Sequence, residues 1–201
     1  RERLGETLSV ERVVDEVLAD APFYEASDGG VTFSGGEPTA QSEFLLACLE
    51  RLHGRVHTAI ETCGAASWSR VKRLADRCDL ILYDLKLIDE EQHREWTGAG
   101  NRQILDNARR LAEGGYNVQI RVPLIPGVTD TAENLNSLFA FMCEAGLKRV
   151  ALLPYNPSAG AKYEWLGHEF ALQDAVTQSD ETMNELAELC RRDGLQVQIG
   201  G

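Results

Sequence analysis

Short apolar segments and amphipathic helical segments alternate along this chain almost without a break, and that alternation limits its fold more than any other feature. Val10, Val13, Val14, Val17 and Leu18 recur at helical spacing behind Ser9, a residue suited to an N-cap. The strand-like "GVTFS" follows, and then Phe44, Leu45, Cys48, Leu49 and Leu52 repeat the helical pattern. "VHTAIET" reads as the second strand, with a helix capped by Ser67 and carrying Val71, Leu74 and Ala75 behind it. "LILYDLK" is the third, an apolar run that ends in charge. Beyond it come a short acidic helix at "DEEQHREW" and a longer one, capped by Asn101, through Ile104, Leu105, Ala108 and Leu111, stopped at Gly114-Gly115. "NVQIRVPLIPG" forms a strand and its exit loop, Leu135, Leu138, Phe139 and Met142 a helix ended by Gly146, and "RVALLPY" and "LQVQIG" two more strands around a helix bearing Met183, Leu186 and Cys190.

Strands separated by helices of this length are parallel, because a parallel pair needs a crossover connection where an antiparallel pair needs only a hairpin. Runs such as "LILYDL", nearly continuous in apolar residues, suit a sheet covered on both faces or curled into a barrel. With no linker or low-complexity stretch, residues 1–201 are expected to form one layered α/β domain. A complete series of this kind begins with a strand, whereas this chain begins with a helix, so an initial strand is expected to be missing.

Charge and cysteine usage narrow the partners. The 32 acidic and 20 basic side chains give a net charge of −12, which opposes non-specific binding to nucleic-acid phosphates or anionic membrane surfaces. No apolar run has the length of a membrane span, and "RERLGETLSVERVVDEV" lacks the apolar centre of a secretory signal, so the expected compartment is the cytoplasm. Cys48, Cys63, Cys78, Cys143 and Cys190 are odd in number and widely spread, as reduced thiols would be, and no C-x-x-C spacing marks a local metal site. His53 and His57 are four apart, but Gly54 between them argues against a helical metal pair.

Ligands of parallel α/β folds bind beyond the carboxyl ends of the strands, and each strand here ends in polar chemistry. The ends carry Gly35-Gly36-Glu37, then Glu61-Thr62-Cys63-Gly64, Asp84 and Lys86, Arg121 with Pro126-Gly127, and Tyr155-Asn156. "VTFSGGEP" fits either a tight strand-to-helix turn or a bare backbone that a small polar ligand can approach. Glu61 also fits a helix cap or a surface acid. Asp84 and Lys86, two apart on one strand, share a face and could pair with each other or with Arg121. Cys63 reads as a packing residue, and Trp68, Trp96 and Trp165 as core or rim packing. A rim that mixes acids, Lys, Arg and open backbone suits a zwitterion bearing both ammonium and carboxylate.

In order and wording, "GGVTFSGGEP", "HTAIETCG", "LILYDLK", "RVPLIPGVTD", "LLPYN" and "KYEWLG" resemble the activating enzymes of glycyl radical enzymes, the pyruvate formate-lyase activase group of the radical S-adenosylmethionine superfamily. The resemblance runs through nearly the whole chain. It implies a partial (β/α) barrel and a binding site for S-adenosylmethionine. Gly35, Gly36 and Glu37 would hold the methionyl ammonium, with backbone carbonyls reaching it where side chains are absent. Glu61 and Asp84 would sit beside the methionyl group and a monovalent cation, with Thr62 nearby, and Lys86 would face the carboxylate. Arg121 and Asn156 would lie along the nucleoside and ribose, although relatives often carry histidine where Asn156 stands.

The resemblance further implies a [4Fe-4S] cluster on a C-x-x-x-C-x-x-C loop after the first strand. That cluster reduces S-adenosylmethionine to a 5′-deoxyadenosyl radical, which takes hydrogen from a glycine of a partner enzyme; flavodoxin or ferredoxin would supply the electron. The sequence contains no such cysteine loop. The absent loop and the absent first strand are explained together if the chain lacks the amino-terminal part of such an enzyme. The rival readings are a natural short member without radical chemistry, a non-catalytic protein that binds S-adenosylmethionine or a nucleoside, and an aldolase-like enzyme with Lys86 as the Schiff-base amine.

Overall fold

The computed structural model describes residues 6–158, 172 and 175–200. Two helices, α1 (Val10–Ala19) and α2 (Ala21–Ser27), lead into strand β1 (Gly30–Phe33). A 3-10 turn over Pro38–Gln41 and helix α3 (Ser42–Leu52) connect it to β2 (His57–Thr62). Then follow α4 (Trp68–Ala75), β3 (Leu80–Asp84), α5 (Glu90–Thr97), α6 (Arg102–Glu113), β4 (Val118–Pro123), α7 (Ala132–Ala145), β5 (Arg149–Leu153), α8 (Asp180–Arg192) and β6 (Gln196–Ile199). The six strands form one parallel sheet in the order β1-β2-β3-β4-β5-β6. Its edges are β1 and β6, so the sheet is not closed and the architecture is an open, partial β/α barrel.

The sheet has two unlike faces. Ile60, Ile81, Tyr83, Ile120, Val122, Val150 and Leu152 pack against the helices with Leu49, Leu74, Leu111, Leu138, Phe139 and Met142, all at most 1% exposed. Each such side chain contributes about 1.5–3 kcal/mol by leaving water, so this layer carries most of the stability. Alternation puts Thr32, Ser34, Glu61, Leu82, Asp84, Gln119, Arg121, Ala151 and Gln198 on the other face. That face is lined largely by polar side chains and no helix among the described residues covers it, so the apolar character of "LILYDL" has two origins: Ile81 and Tyr83 face the helices, whereas Leu82 faces the polar side. A smaller cluster of Val14, Val17 and Leu52 fixes α1 against α3.

Local signals account for most helix boundaries. Ser9 Oγ accepts the Arg12 amide at 3.2 Å, Thr131 Oγ1 that of Asn134 at 3.2 Å, and Ser179 Oγ that of Thr182 at 3.2 Å. Ser67 and Asn101, expected as caps, make no capping hydrogen bond. Asn101 instead donates to the carbonyls of Leu87 and Ile88, because it is buried beside the loop that follows β3. No helix among the described residues is long and apolar enough to cross a membrane.

Candidate functional site

The polar strand ends converge where β1 to β4 finish. After β1 the chain turns at Gly35, whose φ of +117° strongly favours glycine, and no heavy atom lies within 4 Å of where a Cβ would stand at Gly35 or Gly36. The turn is held from behind. Glu37 Oε1 accepts from the Thr39 amide at 3.0 Å, Thr39 Oγ1 at 2.7 Å and Thr62 Oγ1 at 2.6 Å. Its Oε2 accepts from the Cys63 amide at 3.0 Å and the Cys63 thiol at 3.1 Å. Burial works against the Glu37 charge, but these donors outweigh it and hold the carboxyl below its usual range. Burial first, and then Glu37 itself, push the Cys63 thiol up, so it stays protonated and able to donate. Glu37 therefore ties the end of β1 to the end of β2.

On the polar face, Glu61 is engaged twice: Arg121 Nη1 stands 2.6 Å from Oε1, and Ser34 Oγ donates to Oε2 at 2.9 Å. Arg121 Nε is buried without a hydrogen-bond partner among the described residues. Asp84, register partner of Arg121, has Lys86 Nζ 3.4 Å from its carboxylate, too long for a strong hydrogen bond. Burial raises the Asp84 pKa above its usual range; Lys86 and Arg121 oppose the rise and Glu61 adds to it. Of the expected structural pairs, Asp84 with Lys86 is present, with Lys86 just beyond the end of β3, whereas Arg121 pairs with Glu61 rather than with Asp84 or Lys86.

The expected trio of Glu61, Thr62 and Asp84 does not share a face. Glu61 and Asp84 lie on the polar side, whereas the Thr62 hydroxyl points to the helix side, donating to Glu37 and accepting the Gly64 amide at 2.9 Å. Among the described residues no group of three or more His, Cys, Asp or Glu is placed to hold a metal ion. Asn156 is exposed, its Oδ1 accepting the Ser158 amide at 3.0 Å. Trp68 packs beside the core with Arg110 over its ring, and Trp96 is 49% exposed. Trp165 and the "KYEWLG" motif lie outside the described residues.

Two cavities are lined by residues of this rim. One of about 340 Å³ lies on the polar face among Ser34, Glu61, Gln119, Arg121 and Gln198. The other, of about 630 Å³ and mainly apolar, is bounded by Cys63, Lys86, Trp96, Ile104, Ile125 and Val128. The sequence reading missed what fixes these walls. Asn107 donates to the carbonyls of Gly64 and Ala66, both at 2.8 Å, and Asn134 donates to those of Lys86 at 2.8 Å and Thr129 at 2.9 Å. Their signal was present, since both asparagines interrupt apolar helical stripes at positions that should face the core.

A parallel, unclosed β/α barrel with an open glycine turn and an ionic rim at the strand carboxyl ends is the arrangement of a radical S-adenosylmethionine domain. The profile of the Radical SAM superfamily matches residues 1–139. The chain is 38% identical to the trans-4-hydroxy-L-proline dehydratase activating enzyme of Clostridioides difficile, over all of this chain and 68% of that protein. It is 37% identical to the pyruvate formate-lyase 2-activating enzyme of Escherichia coli (strain K12), over all of this chain and 69% of that protein. A crystal structure of a domain of pyruvate-formate lyase-activating enzyme from Bacteroides vulgatus ATCC 8482 superposes with a TM-score of 0.71 at 32% identity, covering 86% of this chain and 99% of that one. The chain belongs to the radical SAM superfamily and, within it, to the activating enzymes of glycyl radical enzymes. It spans about two thirds of the length of these curated relatives.

Proposed function

We propose that the rim binds S-adenosylmethionine for the activation of a glycyl radical enzyme, and that each side chain acts by position and charge. The observation that carries this reading is the open Gly35–Gly36 turn standing beside an ionic set that includes Arg121, whose Nε is buried without a partner among the described residues. Such a site fits a zwitterion. Backbone carbonyls at the turn accept from the methionyl ammonium, while Glu37 keeps the turn in place from behind. Lys86, which spends little of its donor capacity on Asp84, meets the carboxylate. Arg121, balanced by Glu61, and Asn156 lie along the nucleoside. A monovalent cation beside Glu61 and Asp84 would need the backbone of Thr62, since its hydroxyl is committed elsewhere. When bound, S-adenosylmethionine supplies the adenosyl group from which the hydrogen-abstracting radical of this family derives.

The five thiols do not fit a [4Fe-4S] cluster. Cys48 and Cys190 are buried, Cys63 is engaged with Glu37, and Cys78 stands in the loop after α4 while Cys143 is on α7. Any cluster would rely on ligands other than these. The partner is proposed to be a glycyl radical enzyme such as pyruvate formate-lyase, with flavodoxin or ferredoxin as electron donor. The two curated relatives are named for different enzymes, so family membership alone does not choose among partners. Five free cysteines support a reducing, cytoplasmic setting.

Calorimetric titration with S-adenosylmethionine tests the reading. The intact chain should bind, and Lys86→Ala should weaken binding by about 1–3 kcal/mol, the usual loss for a charged hydrogen-bond partner. Replacing the exposed Lys148 by Ala should change nothing. Equal affinities for the intact chain and Lys86→Ala would remove the carboxylate contact from the proposal.

A further inference from the structure

Three buried asparagines, each on or beside a helix, hold the loops of the rim. Asn107 on α6 takes the loop after β2, through Gly64 and Ala66. Asn101 takes the loop after β3, through the Leu87 carbonyl at 2.9 Å and that of Ile88 at 2.7 Å. Asn134 on α7 does more. Its Nδ2 donates to the Lys86 and Thr129 carbonyls, and its Oδ1 accepts the Ile88 amide at 3.1 Å. Two carbonyls on one side and an amide on the other leave one orientation of the side-chain amide that satisfies all three. A single buried side chain, 6% exposed, thus joins the residue that carries Lys86 to the exit loop of β4.

The contacts of Lys86 itself are few. Its side chain is 33% exposed and among the described residues its one polar contact is the 3.4 Å approach to Asp84. A long, flexible ammonium held so loosely takes its location from its backbone. Thr129, the second carbonyl bound by Asn134, in turn donates to the Pro123 carbonyl and accepts the Ile125 amide at 2.6 Å, so the far wall of the apolar cavity is fixed through the same residue.

We propose that Asn134 is a positioning residue for ligand binding: it sets the place of Lys86 and the width of the cavity between the loops after β3 and β4. This rests on the reading of Lys86 as the carboxylate contact, and the test separates the two. Acetic anhydride labelling of the intact chain, followed by mass spectrometry, gives the rate at Lys86 relative to exposed Lys148. Asn134→Ala should raise that ratio about fivefold, the factor that one ordinary hydrogen bond supplies. Asn107→Ala, which frees two carbonyls in the neighbouring loop, controls for general loosening and should leave the ratio as in the parent. Titration with S-adenosylmethionine should show Asn134→Ala weakening binding by a similar factor, with no further loss when it is added to Lys86→Ala. An unchanged labelling ratio in Asn134→Ala, or an equal rise in Asn107→Ala, would overturn the proposal. Absence of binding by the parent chain would overturn the reading of the site, while the labelling ratio would still decide the role of Asn134. Should Asn134→Ala not fold, Asn134→Ser carries the same comparison.

Discussion

The acids of the rim divide by what their surroundings do to their charge. Glu37 is a carboxylate stabilised by five donors, and its folded pKa lies below the unfolded value. Its contribution to stability is in place above the unfolded pKa and is lost as pH falls through the folded one. Asp84 is raised by burial, so its ionisation costs stability as pH rises from the unfolded pKa through the folded one. Two opposite outcomes are expected near neutral pH. Glu37→Gln should lower the melting temperature, and the difference from the parent should shrink in acid. Asp84→Asn should raise the melting temperature while weakening S-adenosylmethionine binding, the exchange expected where a site retains a destabilising charge for function. Melts between about pH 3 and 8, bracketing ordinary carboxyl pKa values, check both. The residue types were legible in the sequence because glycines, acids and bases at strand ends announce themselves. The work of Glu37 was not, since nothing in "SGGEP" says that its carboxylate turns back onto Thr39 and across to Thr62 and Cys63.

Helices show how far periodicity reads. The stripe Leu135, Leu138, Phe139 and Met142 forecast the buried face of α7, and each of these residues is at most 2% exposed. Phe139→Ala should therefore cost about 3–5 kcal/mol, the range for removing a buried aromatic ring, measurable by urea unfolding. A loss below about 1 kcal/mol would mean that the site collapses around the gap. The existence of the strands was legible as well, down to their parallel pairing. Two things were not. Helix α2 follows α1 so closely that one apolar pattern concealed it, and the unequal faces of the sheet escaped because Leu82 and Ala151 interrupt the polar series on the uncovered side. The buried asparagines were hidden for the opposite reason. A polar residue in an apolar stripe resembles an error of pattern until its hydrogen bonds are traced.

For the molecule as a whole, the five cysteines are spread over α3, the loops after β2 and α4, α7 and α8, and no three of them gather at one place that could hold a metal. Anaerobic reconstitution of this chain with iron and sulfide should consequently leave it without a stoichiometric [4Fe-4S] chromophore; a full complement of iron and sulfide with the cluster's charge-transfer absorption would contradict that. The order β1-β2-β3-β4-β5-β6 bears on a different matter, the route by which the chain reaches its shape. Each described strand after β1 pairs with the one that precedes it in sequence, so every step of sheet growth closes a single crossover, and no described strand waits for a partner from the other end of the chain. Closure entropy grows only slowly with crossover length and is met one unit at a time. The sheet can therefore assemble as it leaves the ribosome, each new strand finding a finished edge to join.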